Sequence, residues 1–310
     1  MLLAAGLGAL ALRQISPGDV EHALRHAGPG TIATAILGVV GFTFAKAWRY
    51  RTLLFPAPST VPERPSLAAM MLVTLASWGP GLVLPTVTAD GVFIWLGVTR
   101  LRRTVESCAT AAMLARLLDL TSLLLVLLLS ALLAGVRLPF GAQVAAVAGI
   151  VLLGGVVTAF LWARSRAGLL ARLRRLPVVG RRIANVDEAL DGVGRGRSVL
   201  RLAASTIAAR VCTQVQYLAL LAAVGLPLGF WDSWFALSAR TLLLTIPIQG
   251  MFGLGTTQLW WASALALLGQ PLHTAVVTGV SLHLLDLTVS LPLAAIGAVL
   301  LVLVTRARQA

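Results

Sequence analysis

The sequence predicts an all-α, polytopic membrane protein folded as an inverted-repeat helical bundle with two broken or re-entrant helices. Three observations support this prediction. The 310-residue chain is 58% hydrophobic and only 12% charged, a composition far more apolar than a soluble domain needs. A short acidic motif occurs twice inside long apolar stretches. The basic residues cluster between those stretches.

The motif Leu-Leu-Asp-Leu-Thr contains Asp119 in its first copy and Asp286 in its second, and a basic residue, Arg116 or His283, lies three positions before each acid. This spacing places base and acid on one helical face. An ionisable side chain near the bilayer centre costs at least ~2.5–3.5 kcal/mol and usually faces a bundle interior. We interpret the repeat as an internal duplication; coincidence in a leucine-rich chain is the alternative.

The apolar stretches define the predicted elements, because a membrane-spanning helix needs ~20 apolar residues. We read the first of them as a short span rather than a cleaved signal peptide, since it lacks a basic start and a small-residue cleavage site. Spans are predicted at 1–15, 30–48, 67–84, 105–134, 140–163, 200–225, 232–248 and 273–304, with shorter apolar pieces at 92–100 and 256–270.

Each of the two shorter pieces follows a break rich in glycine and proline, at residues 78–85 and 246–255. Irregular backbone at membrane depth is tolerated only where it is buried in protein or lines a cavity. Interrupted segments at matching places in two halves are typical of transporter binding sites. The breaks therefore predict a site between two repeats.

The arginines predict the orientation. The net charge is +14, which in a soluble protein would indicate nucleic acid. Here we expect no nucleic-acid partner, because the arginines lie between spans, where positive-inside topology explains most of them and anionic headgroups are the other partner. Residues 164–201 contain ten arginines and three acids, so this loop and the C-terminus are predicted to be cytoplasmic.

With this topology the two copies of the motif, 167 residues apart (286 − 119), lie on spans that run in opposite directions. The halves are thus predicted to form an inverted repeat. The whole chain, 1–310, is predicted to be a single transmembrane domain. Its parts are a first repeat core at 30–134, a basic loop at 164–201 and a second repeat core at 202–304.

The candidate lipid-binding residues are the ionisable side chains furthest inside the predicted spans. Arg210 and Arg240 have no acid within helical reach, and a guanidinium can bind a phosphate with two hydrogen bonds. The acids allow two readings, a functional one and a purely structural one in which each pairs with the base on its own helix. The candidates are Arg116, Asp119, Arg210, Arg240, His283 and Asp286.

Two further lipid-binding candidates follow the breaks, namely Asp90 and Gln258. The N-terminus of a half-helix carries positive partial charge and free N–H groups, so it can bind an anion. Glycine in the run 253–255 would let the backbone approach a headgroup closely, although close packing alone would also explain it.

The sequence contains no motif for catalysis or for a metal. There is no paired-carboxylate motif, no Ser/His/Asp cluster and no phosphate-binding loop, and Cys108 and Cys212 lie in apolar stretches. We therefore expect a protein that is not an enzyme, with no catalytic residue, metal site or cofactor.

In order and spacing, several pieces resemble the lysylphosphatidylglycerol synthase transmembrane-region family, a flippase-like domain. The similar pieces are 47–54, Leu84-Pro85 with Asp90, 116–119, and Ile246-Pro247 with 253–255. The resemblance covers most of residues 40 to 290. It implies an integral bacterial membrane protein that translocates an anionic or modified lipid or assists its synthesis.

The chain departs from the family's usual pattern at charged positions. After Leu84-Pro85 the family usually has an arginine, a glycine-acid pair and a further arginine, whereas this chain keeps only Asp90. It has Gln258 where the family usually has glutamate and His283 where it has arginine. No synthase domain precedes Ala310, so we expect that this chain does not itself make an aminoacyl lipid.

Our leading hypothesis is a flippase of the bacterial inner membrane. In it Arg210 and Arg240 receive the headgroup phosphate of an anionic phospholipid or a polyprenyl-phosphate-type lipid. Asp119, His283 and Asp286 would balance charge or relay protons, since histidine ordinarily titrates near neutral pH. The alternative is a non-transporting subunit that presents lipid to a soluble glycosyltransferase or synthase. A homodimer or a soluble synthase partner is compatible with either hypothesis.

Overall fold

A computed structural model describes residues 27–55, 64–85, 87–136, 196–244 and 255–307, with isolated positions before 26 and between 140 and 155. The predicted span 1–15, most of the loop 164–201 and most of the second break lie outside the described residues. The described part is helical and contains no strand. Its helices are α1 (Pro29–Leu54), α2 (Leu67–Val83), α3 (Val87–Leu101), α4 (Val105–Leu133), α5 (Gly196–Ala223), α6 (Phe230–Leu243), α7 (Thr256–Leu267) and α8 (Leu272–Ala307).

Local sequence signals set several helix starts. Proline at the first position of α1 has no N–H to leave unsatisfied. Ser66 caps α2 by accepting a 3.1 Å hydrogen bond from the Ala69 N–H, and Thr104 caps α4 by accepting one of 3.2 Å from the Ser107 N–H.

Helix length separates two kinds of element. Helices α1, α4, α5 and α8 have 26, 29, 28 and 36 residues, and each contains a stretch long and apolar enough to cross a membrane. Helices α2, α3, α6 and α7 have only 17, 15, 14 and 12 residues, fewer than the ~20 that a crossing needs. The short helices are the predicted broken segments.

Two apolar core clusters mark the two ends of the bundle. The first contains Ala35 and Val39 of α1, and the second contains Ala47 and Leu54 of the same helix. Helix α5 passes the opposite way, from Leu202 in the second cluster to its C-terminal residues in the first. Helices α1 and α5 therefore run antiparallel.

The same holds for the other pair of long helices. Helix α4 runs from Cys108 in the second core cluster to Ala131 in the first, whereas α8 runs from Ala275 in the first to Leu301 in the second. The four helices of one half thus correspond, in reverse direction, to those of the other. The fold is the predicted inverted-repeat helical bundle.

A constant offset of 167 residues relates the halves. It separates the first residues of α1 and α5 (196 − 29) and those of α4 and α8 (272 − 105). It also separates Arg102, with φ 52°, from Gly269, with φ 80°, in the turns that precede α4 and α8. Positive φ is rare outside glycine, so the same unusual turn recurs at the same place in both halves.

Helices α2 and α3 form a re-entrant hairpin. Their chains approach closely at Gly81, where an added Cβ would lie 2.8 Å from the Ala89 Cβ. Met70 near the start of α2 and Leu96 near the end of α3 both belong to the second core cluster. The chain therefore turns back at Leu84 and Pro85, and the N-terminus of α3 lies inside the bundle.

The halves are interlocked. Helix α1 packs most extensively on α5, while α2 packs on α8 and, correspondingly, α6 packs on α4. Each short hairpin is thus held by the long last helix of the other half. The contact of α2 with α8 is tight, since an added Cβ on Gly297 would lie 2.5 Å from the Leu75 Cβ.

Candidate functional site

A first polar centre lies where α1, α4 and α5 meet. The guanidinium of Arg49, which is fully buried, donates two hydrogen bonds to the carboxylate of Asp119, at 2.7 and 2.9 Å. It also donates to the hydroxyl of Thr206 at 3.3 Å. This bidentate pair has the geometry that makes arginine–carboxylate contacts strong. The Asp119 side chain is 31% exposed, so the centre is open on that side.

Arg210 crosses from α5 to the same part of α4. Its Nε donates to the Ser122 hydroxyl at 3.1 Å, and its terminal nitrogen donates to the main-chain oxygen of Asp119. Gly41 of α1 contacts Cys212 of α5, and Arg49 contacts Thr206 further along. Arg210 is therefore level with the crossing of α1 and α5, at the middle of the bundle.

Two more cations and a second acid surround this centre. The exposed Arg116 forms an ion pair with Asp90 in the first turn of α3. Lys46, on the same face of α1 as Arg49, interacts electrostatically with Asp119 and Asp90. The first polar centre thus contains four cationic side chains and two carboxylates among the described residues. Its positive charge exceeds its negative charge by two.

A second polar centre lies at the corresponding place in the other half. The carboxylate of Asp286 accepts hydrogen bonds from Gln216 Nε2 at 2.8 Å, Tyr217 Oη at 2.7 Å and Ser290 Oγ at 2.9 Å. All three donors are uncharged, and Asp286 is only 7% exposed. This centre is closed and fully hydrogen-bonded around its carboxylate.

Arg240 lies beside the second polar centre. Its guanidinium carbon is 5.4 Å from the centroid of the Tyr217 ring and 5.6 Å from that of Trp261. These distances are those of cation–π contacts. Through Tyr217 the arginine is coupled to Asp286.

The two centres are related by the same offset of 167 residues. Arg49 and Tyr50 correspond to Gln216 and Tyr217, as Asp119 corresponds to Asp286. The tyrosines keep their aromatic neighbours, because Tyr50 stacks on Phe93 at 3.9 Å and Tyr217 packs on Trp261 at 5.4 Å. Arginine has been exchanged for glutamine, so the cation of the first centre has no counterpart at that position in the second.

The structure distributes the predicted residues over the two centres. Asp90, Arg116, Asp119 and Arg210 meet in the first polar centre. Arg240 and Asp286 belong to the second. His283 and Gln258, 5% exposed each, are buried on α8 and α7. Arg210 and Arg240 contact different residues, about two helical turns apart on α5, so they do not share one phosphate in this structure.

The local pairing of Arg116 with Asp119, considered as a structural alternative, is not what the structure contains. Asp119 pairs with Arg49, and Arg116 pairs with Asp90. The reason is tertiary, because a fully buried guanidinium from α1 requires a carboxylate, while the Arg116 side chain is 45% exposed and extends toward α3.

Sequence reasoning missed Lys46, Arg49, Gln216 and Tyr217. The predicted span ended at residue 48, which made Arg49 part of a basic helix end, whereas α1 continues to Leu54 and buries it. A usable signal existed, since the tyrosines at positions 50 and 217 have the same offset as the two acidic motifs.

Within the described ranges, no group of three or more histidine, cysteine, aspartate or glutamate side chains could hold a metal ion. The sequence profile described as lysylphosphatidylglycerol synthase TM region matches residues 1–297. No curated protein matches the chain. No solved structure matches it either.

Proposed function

Because the chain belongs to the lysylphosphatidylglycerol synthase TM region family, we propose that it is a lipid flippase, a transporter that moves an anionic phospholipid between membrane leaflets. We propose a transporter rather than an enzyme, placed in the bacterial cell membrane with its basic loop and C-terminus in the cytoplasm. The observation that carries the proposal is the excess of positive charge in the first polar centre.

That excess is unusual inside a bundle of membrane helices. Charged side chains at membrane depth are rare and mark substrate pathways when they are not needed for packing. Arg49 is fully used by Asp119. Lys46 and Arg210 remain in excess around a carboxylate that is 31% exposed. A phosphate group entering beside them would balance the charge.

The position of the centre supports a transport path. Arg210 is level with the crossing of α1 and α5, halfway through the bundle. The N-terminus of α3 also lies inside the bundle, since α3 returns from the turn at Leu84. In inverted-repeat transporters the substrate binds between the repeats near the midplane, and the halves rock about it. We propose that the headgroup passes this point while the acyl chains stay in the surrounding lipid.

The experiment is transport of a fluorescent phosphatidylglycerol in vesicles containing the purified protein. We expect Arg210→Gln and Lys46→Gln each to lower the rate at least about tenfold, because each removes a charged hydrogen-bond donor from the phosphate. The matched control is Arg25→Gln, whose side chain is 70% exposed and pairs only with Glu21 four residues away. Its rate should equal that of the wild type.

Normal transport by Arg210→Gln would refute the role of this centre. If the wild type moves no lipid above protein-free vesicles, the transport proposal itself fails. A zwitterionic lipid with the same fluorophore tests charge selectivity, and we expect it to move more slowly than phosphatidylglycerol.

A further inference from the structure

The N-terminus of α7 is buried and has no side-chain cap. Helix α7 begins after Gly255, whose φ is 82°, and no side chain accepts a hydrogen bond there. Its first-turn residues Thr257 and Gln258 are 3% and 5% exposed. The first N–H groups of a helix have no partner within the helix and carry positive partial charge.

Three polar atoms beside this helix have no hydrogen-bond partner. They are the Nε of Arg240, the Nε1 of Trp261 and the Oε1 of Gln258. Trp261 is fully buried, and it lies one turn after Gln258 on the same face of α7. The guanidinium of Arg240 is 5.6 Å from its ring. Buried polar atoms in proteins are almost always paired, so this group of two donors and one acceptor indicates a missing ligand.

The first half contains the group that the second half lacks. There the first turn of α3 holds Asp90, which pairs with Arg116. The first turn of α7 contains no acidic residue, although the cation Arg240 lies beside the helix. The second half therefore has the helix N-terminus and the arginine but not the anion that joins them.

We infer that Arg240, Trp261 and Gln258 form a second anion site, separate from the first polar centre, which takes a phosphate ester bearing a hydroxyl group. The Arg240 Nε–H and the Trp261 indole N–H donate to phosphate oxygens, and the first turn of α7 adds its partial charge. A hydroxyl of the ligand donates to Gln258 Oε1. Inorganic phosphate would satisfy only the donors. The inference rests on the proposed function insofar as the ester is the headgroup in transit.

Binding to this site is measured without transport. Purified full-length protein in a non-ionic detergent is titrated calorimetrically with inorganic phosphate, glycerol 3-phosphate and dihexanoyl phosphatidylglycerol. The background variant Lys46→Gln/Arg210→Gln removes the first polar centre, so that the heat which remains reports the second site. We expect saturable binding of glycerol 3-phosphate or of the short-chain lipid in this background, tighter than that of inorganic phosphate.

In the same background, Arg240→Gln should weaken binding about tenfold and Trp261→Phe about threefold, the losses expected for a charged and a neutral donor. Trp261→Phe keeps the ring and removes only the N–H, so its folding is not at risk. Trp95→Phe is the matched control, because Trp95 is 59% exposed on α3, and it should bind as the background does.

Absence of saturable binding in the background variant would overturn the inference, and so would equal affinity in Trp261→Phe and Trp95→Phe. Glycerol 3-phosphate that binds as tightly as the lipid would identify a soluble ester as ligand, and binding of the lipid alone would identify a headgroup. Transport that survives Arg210→Gln refutes the proposed function but leaves this binding result unchanged, so the two failures are distinguishable.

Discussion

At the scale of the residue, the exchange of Arg49 for Gln216 determines how the two polar centres differ. A buried guanidinium needs a carboxylate, and Asp119 supplies it with both oxygens. In the second half, Asp286 is satisfied by three uncharged donors instead. The second carboxylate can therefore be closed off at 7% exposure, while the first remains open among additional cations.

The ion pair of the first centre can be tested by a double-mutant cycle. We expect Asp119→Asn alone to lower the free energy of unfolding by about 3 kcal/mol, because it leaves the fully buried Arg49 without its counter-charge. Arg49→Gln/Asp119→Asn should lose less than the two single variants combined, since it replaces the pair with two amides. The measurement is chemical unfolding in detergent.

Additive losses in that cycle would show that Arg49 and Asp119 do not act as a pair. Arg49→Gln also tests the symmetry, because it gives the first half the residue of the second. It should be tolerated better than Arg49→Leu, which cannot donate to the Asp119 carboxylate at all.

At the scale of the element, the contact between α1 and α5 sets the distance between the halves. Glycine on α1 permits it, because an added Cβ on Gly38 would lie 2.8 Å from the main-chain nitrogen of Gln216. At Gly41 the obstacle is instead the Cys212 sulfur, at 2.7 Å. A rigid backbone obstacle cannot be relieved by another substitution, whereas a side chain can.

We expect Gly41→Ala to lower the melting temperature in detergent, with a loss of about 1–3 kcal/mol from overpacking. Adding Cys212→Ala should restore it, because the next nearest atom, the Cys212 Cβ, is 3.4 Å away. Gly30→Ala on the same helix is the control, since nothing lies within 4 Å of its added Cβ. Failure of the double variant to recover would mean that the sulfur is not the limiting contact.

At the scale of the whole molecule, hydropathy and the repeated motif were enough to predict the fold class, because helix length and membrane thickness are linked directly. Helix ends were less predictable. The prediction began the second short piece at residue 92, but α3 begins at Val87, since polar residues such as Asp90 make its first turn look like a loop. The pairing of Arg49 with Asp119 joins positions 70 residues apart, and no local pattern encodes it.

The inverted arrangement makes a prediction about the membrane itself. Val105 and Leu272 are equivalent first residues of α4 and α8, with exposures of 55% and 63%. In a variant with Cys108 and Cys212 replaced by alanine, single cysteines are introduced at each position and treated in intact cells with a membrane-impermeant maleimide. Because the arginines near residue 102 favour the cytoplasm, we expect Leu272→Cys to react and Val105→Cys to react only after permeabilisation. A bundle whose halves run in opposite directions must place these equivalent positions on opposite sides. Labelling of both from one side would therefore contradict the inverted repeat, whereas exchanged labelling would keep the repeat and reverse the proposed orientation.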